Sequence, residues 1–346
     1  DNEFLAYLTT AILPADYDQQ DTAPVGTGPF KFISRTAQDS IVLEKFDEYW
    51  GTPAQLDKVT FKIIENADSL VLSLQSGAID LCAHLNSTQV AQLDQSQFHV
   101  LEGTMNLVQA MYLNNDVAPF DDVRVRQALS YAVDKQQIMD MIADGHGTAI
   151  GSSMYPAFGK YFVPELTDYY TQNIEKAKEL LAAEGYDESN PLTFEIIGYS
   201  NNDVVMQAYQ ADLKSIGVNV ELVTQEFGVF LENMVGMNFQ MLTGGWGDTT
   251  GNPLTSAECY YSGSFGSQNI SFYDNPVCDE LYITAKTSND TAEIKDACQQ
   301  IQQIAWEDVP MFPTFGRNEG YVYNKNLNGV VISPSGTLSF RTATLG

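Results

Sequence analysis

The alternation of apolar and polar positions divides the chain into stretches of period two and stretches near period 3.6. "FKFISRTAQDSIVLEKFDEYW", from Phe30, holds two alternating runs joined by "TAQDS", which predicts a β-hairpin. "VTFKII", from Val59, predicts a half-buried strand. "NADSLVLSLQSG" predicts a helix ending at Gly77, where a left-handed residue is cheap. "AIDLCAHL" is extended again, Ser87 is placed to cap a short helix "STQVAQLD", and "MNLVQAMYLNND" predicts a long strand.

The period then changes. In "PFDDVRVRQALSYAVDKQQIMDMIADG" the residues Val125, Leu129, Ala132, Val133, Ile138, Met141 and Ile142 fall at helical spacings, with Asp121 or Asp122 as cap, Gly145 as stop and room for a kink near Asp134. Residues 145–168 predict an aromatic-rich coil. After "NIEKAKELLAAEGY", a helix with Asn173 as cap, come strand "LTFEIIGY", helix "NDVVMQAYQADLKSIG", strand "VNVELV", helix "EFGVFLENMVG" and strand "FQMLTGG". That alternation predicts an α/β region with a largely parallel sheet. Loop from Asn252 to Asn275, two helices, and short extended pieces around "MFPTFGRNEGYVY" and "GVVISP" complete the chain.

At 346 residues the prior is two lobes rather than one core. Seventeen Lys and Arg against 45 Asp and Glu give a net charge of −28, which argues against nucleic acid or an anionic membrane and suits cationic ligands such as free peptide N-termini. No run of 18 apolar residues exists, so no membrane-spanning helix is predicted, and Asp1 opens without a signal peptide, as a trimmed longer protein would. The four cysteines show no zinc spacing. Cys259 and Cys278 bracket a loop, a pairing that an oxidising compartment allows but the spacing does not require.

Enzyme signatures are missing from the pattern. His84, His99 and His146 are the only histidines, the first two in or beside strand-like runs, and there is no nucleophile elbow, H-E-x-x-H or Walker lysine. "VGTGPFKF", Val25 to Phe32, has phosphate-loop glycines, but a strand rather than a helix follows, so the glycines are read as an entry turn. Arg124 and Arg126, two apart near a helix start, face different ways and are expected to pair with acidic neighbours. "LTGGWGDTTGNP", Leu242 to Pro253, is richer. It follows a strand, Gly244 and Gly245 allow close backbone approach, Trp246 offers a flat wall and Asp248 a charge. A turn capped by Asp248 explains the same residues equally well.

Taken in order, "PVGTGPFKF", "IVLEKFDEYWG", "LDKVTFKII", "LQSGAIDL", "YLNNDVAPFDDVRVRQALSYAVDK", "NIEKAKELLAAEGY", "QADLKSIGVNVEL" and "GGWGD" resemble the family 5 extracellular solute-binding proteins of peptide-type (oligopeptide, dipeptide, nickel) ABC importers. The resemblance implies a two-lobed α/β fold of the periplasmic-binding-protein kind (class II) closing about a hinge. Residues 1–110 would form a partial, β-rich lobe I, 111–310 lobe II, and 311–346 a return to lobe I, with "VQAMYLNN" and "MFPTFG" as hinge strands. The family's further N-terminal segment is absent here, leaving the first lobe incomplete.

The resemblance also assigns roles. Asp248 would receive a peptide's α-ammonium beside Trp246, and backbone around Asn114 and Gly244, with Gly245 next to it, would pair with the peptide main chain. Dipeptide-selective relatives carry an arginine in the loop that here reads "GYSNND", with Tyr199 but no Arg, so longer oligopeptides are favoured. "GD-x-x-G-N-P" departs from the commoner acidic ending. No catalytic residue, metal or cofactor is implied. The implied partners are a peptide and the membrane permease subunits, and the implied setting is a monomer in the periplasm or anchored as a lipoprotein. Nickel chelates, haem, sugars and signalling peptides remain alternative cargoes, and a hydrolase a remote one.

Overall fold

The computed structural model describes residues 11–85, 87–199, 203–247, 252–332 and 337–346. Among the described residues the chain divides into two compact units, one holding Asn106–Arg317 and the other residues 11–105 together with Asn318–Gly346. Both of these crossings fall inside strands.

The smaller unit begins with β1 (Phe30–Thr36), β2 (Ser40–Lys45) and β3 (Lys58–Lys62), an antiparallel meander in that order with a bulge between Phe32 and Ser34. "GTGPF" therefore leads into a strand, with no helix N-terminus to meet an anion. In α1 (Ala67–Gln75), Asn66 caps by accepting from the Ser69 N–H at 2.9 Å, and Gly77 takes φ +72° just past the end. Next come β4 (Leu81–Leu85), α2 (Ser87–Ala91), of which Ser87 is the first residue rather than the cap, and β5 (Phe98–Leu113). Val71 and Leu74 of α1 pack on Cys82, Leu85 and Phe98 to form this unit's small core.

In the larger unit the single bent helix of the sequence reading is two helices, α3 (Val123–Ala132) and α4 (Lys135–Ala143). Asp134 causes the break: its backbone is extended and its carboxylate accepts from the Gln137 N–H at 2.9 Å, capping α4 as Asp122 caps α3. There follow β6 (Gly147–Ala149), α5 (Ile174–Ala183, capped by Asn173), β7 (Thr193–Tyr199), α6 (Asp203–Ser215), β8 (Asn219–Gln225), α7 (Phe227–Val235), β9 (Met241–Gly247), α8 (Pro253–Ala257), α9 (Pro276–Thr287) and α10 (Thr291–Asp308). Strand β7 pairs in parallel with β8 and β9, and β9 pairs antiparallel with β5.

Alternate strand residues enter two different clusters. Met111, Leu113, Phe194, Ile196 and Met241 pack against α3 to α6, whereas Ala110, Tyr112, Ile197 and Leu242 pack with α9, α10 and the segment before them. The sheet is covered on both faces, and each fully buried Leu, Ile or Phe contributes about 1.5–3 kcal/mol. This double cover leaves the strand ends as the place where function can sit.

Two expectations are corrected, and the open question of the cysteine pairing is answered. The "short extended pieces" after α10 begin with one 14-residue strand, β10 (Met311–Asn324), pairing with β6 in the larger unit and with β4 in the other. Two-residue strands close the chain: β11 (Leu327–Asn328) with β14 (Thr344–Leu345), and β12 (Val331–Ile332) with β13 (Leu338–Ser339). Cys259 and Cys278 are not paired; all four cysteines are free and buried, and burial pushes the Cys278 thiol up to about 12. Arg124 does meet an acid, Glu184 at 2.6 Å, but buried Arg126 donates to main-chain carbonyls, Phe120 O at 2.6 Å and Asp308 O at 2.8 Å.

Candidate functional site

A pocket of about 340 Å³ opens in the larger unit at the carboxyl ends of β7 and β9. One wall is α7. Glu226 starts that helix by accepting from the Gly228 N–H at 2.8 Å, and Phe227, Phe230, Leu231 and Met234, at i, i+3, i+4 and i+7, turn one face to the pocket. Tyr199, the last residue of β7, places its ring edge-on to Phe227 and Phe230 at centroid distances of 5.1 and 5.2 Å. Tyr112 of β5 forms the inner wall. Burial holds its phenol well above the usual range, so it stays neutral.

The glycines of β9 supply the remaining side. A Cβ on Gly244 would come within 3.2 Å of the Tyr112 ring, so a glycine there lets the tyrosine pack against the strand. Antiparallel pairing fixes where the backbone groups point. The Asn114 N–H donates to Gln240 O at 2.9 Å, so the hydrogen-bonded positions alternate from there and Gly244–Ala110 is one of them. Gly245 opposite Gln109 is then a non-hydrogen-bonded position, its N–H and C=O directed toward the β7 side. Among the described residues the β7–β9 ladder comprises Ile196–Met241 and Ile197–Leu242, below that level. Exposed Gly245 thus presents main-chain polar groups at the pocket rim.

Of the residues singled out from the sequence, Tyr199, Gly244 and Gly245 come together here. Trp246 lies on β9, but its side chain is outside the described residues, as is Asp248; Gly247, one residue before it, lines the pocket. Asn114 does not join them. It sits at the other end of the β5–β9 ladder, fully buried, its amide donating to Met237 O at 3.1 Å and Phe239 O at 3.0 Å and its Oδ1 accepting from the Asp116 N–H. Sequence reasoning passed over Tyr112, Phe227 and Phe230, although the spacing within "EFGVFLENMVG" held the signal for the α7 wall.

No acidic or basic residue lines the pocket among the described residues, and these contain no His, Cys, Asp and Glu group able to hold a metal. Nor is any described helix long and apolar enough to cross a membrane. Such a site can grip apolar groups and pair with main chain. Among the described residues it presents no nucleophile with an adjacent base.

A family model for the bacterial extracellular solute-binding proteins, family 5 Middle, matches residues 2–268. The heme-binding protein A of Haemophilus influenzae is 30% identical over 328 residues, 92% of this chain and 59% of the relative. The dipeptide-binding protein DppE of Bacillus subtilis is 26% identical over 343 residues, 95% and 62% of the two chains. The chain therefore spans about 60% of the length of these curated relatives. The ABC transporter-associated periplasmic binding protein DppA from Helicobacter pylori, solved with the peptide STSA, superposes with a TM-score of 0.86 at 27% identity, covering 99% of this chain and 70% of that one. The mixed α/β architecture is that of the two-lobed periplasmic binding proteins.

Proposed function

Because the chain belongs to the bacterial extracellular solute-binding proteins, family 5, we propose that it is the part of a peptide-type ABC importer that captures a peptide outside the cytoplasm and yields it unaltered to the membrane permease. The observation that carries this reading is the exposed β9 edge at Gly245 beside an aromatic pocket at the strand ends. An extended peptide can hydrogen-bond to such an edge through its main chain and set a side chain in the pocket, so that affinity and specificity arise from different atoms. The protein acts as a monomer, with lipoprotein anchoring or a periplasmic location, and the crossings inside β5 and β10 serve as its hinge.

Asp248, just beyond Gly247, receives the peptide's α-ammonium, a charge-assisted hydrogen bond of about 1.5–3 kcal/mol. Oligopeptides are favoured over dipeptides, because the loop after β7 carries no arginine to clamp a nearby carboxylate. Calorimetry with a series of two- to six-residue peptides, free and N-acetylated, tests both points. The expected result is tighter binding beyond two residues and a roughly 10- to 100-fold loss on acetylation. Equal affinity for acetylated peptides removes Asp248 from the role, and a preference for dipeptides reverses the length assignment.

A further inference from the structure

The geometry points to a specific occupant for the pocket between α7 and β9, namely one bulky, uncharged apolar or aromatic side chain of the cargo. This rests on the peptide reading above and adds the residue class to it. Every described side chain that shapes the walls is apolar, aromatic or neutral. A carboxylate or ammonium placed among Tyr112, Phe230 and Leu242 would lose its water and, among the described residues, find no opposite charge on the lining. A ring would instead meet the edges and faces already offered by Tyr199 and Phe227.

The exposure pattern gives an independent reason. Phe227 and Leu231 line the pocket and are still 52% and 37% exposed, on the same helix face as buried Phe230 and half-buried Met234. Apolar area left in water at the mouth of a concave site is what an apolar ligand group covers with gain. The volume, about 340 Å³, is at the small end for ligand pockets, so it suits one large side chain rather than a whole peptide. Ser267 and Gln268, also on the lining, let a tyrosine hydroxyl or an indole N–H enter without losing its hydrogen bond.

The test uses trialanine peptides in which Phe, Leu, Trp, Ala, Asp or Lys replaces each position in turn, titrated against the full chain and against Phe227→Asp and Phe227→Leu. At one position Phe, Leu and Trp should bind roughly 10- to 100-fold tighter than Ala, with Asp and Lys weakest. Phe227→Asp should erase that ranking and Phe227→Leu keep it, with a melting curve of each variant showing that it is folded at the titration temperature, since both lose the ring contact with Tyr199. N-phenyl-1-naphthylamine, an uncharged fluorophore, separates the pocket from the peptide reading. If no peptide binds but the dye does, and Phe227→Asp abolishes its fluorescence, the peptide reading fails and the pocket assignment holds. A flat ranking at all three positions, or dye binding indifferent to Phe227→Asp, overturns the assignment.

Discussion

Lys135 opens α4 with its ammonium turned inward, 3.3 Å from each of the carbonyls of Ile150 and Thr167 and 4.8 Å above the Trp306 ring. Burial draws its pKa down from 10.5 to about 8, with the charge of Asp168 working weakly the other way. Between those two values the unfolded chain holds a proton that the folded chain has released, so this residue makes stability rise with pH across that window. Below about pH 8 the lysine is charged in both states and the burial cost is felt in full. At about 1.36 kcal/mol per pKa unit, that cost is at most about 3–4 kcal/mol. Lys135→Met keeps the unbranched stem as far as Cε and removes the charge. Urea unfolding of both proteins from roughly pH 7 to 10.5 should show the stability of Lys135→Met relative to the parent falling as pH rises, on top of a constant offset from the lost hydrogen bonds to Ile150 O and Thr167 O. The comparison must be read as a difference, because buried thiols such as Cys82, raised to about 11, make stability fall with pH in both proteins. A constant gap across the window refutes the reasoning.

Three other outcomes follow from the packing. Gly198→Val should cost about 1–3 kcal/mol in urea unfolding, because a Cβ there would lie 2.7 Å from Met206 Sδ and 2.8 Å from Thr243 Cγ2; an unchanged midpoint means that β7 has room to shift. Asn114→Leu should cost about 2–4 kcal/mol by stranding the carbonyls of Met237 and Phe239, with peptide affinity of the folded protein unchanged; weaker binding at an unchanged midpoint would return Asn114 to the ligand. A thiol reagent should find no reactive cysteine in the native chain and four after denaturation without reductant, whereas two would mean a disulfide.

What could be read from the chain divides by distance. Helix starts were legible because the cap and the helix it serves are neighbours: Asn173 and Asp122 accept from N–H groups two or three residues on. β10 was read as fragments because Pro313, Gly316 and Gly320 look like breakers, and only pairing with β6 and β4, far away in sequence, keeps it one strand. Nothing local identifies the partner of Arg126: an acidic neighbour is expected from the sequence, but its guanidinium reaches the carbonyl of Asp308, 182 residues away. The pocket was half legible. Its glycines follow one another in a single motif, but Tyr112, Tyr199 and Phe227 meet only through sheet register and the placement of α7, which no local pattern states.

The most direct measurement of the central claim is mass spectrometry of what the purified protein carries, after incubation with a defined peptide pool and release by denaturation. The account predicts intact peptides of unchanged mass, longer than two residues and enriched in bulky apolar side chains relative to the pool. Peptides shortened during incubation, or a haem or metal chelate recovered in their place, would contradict it.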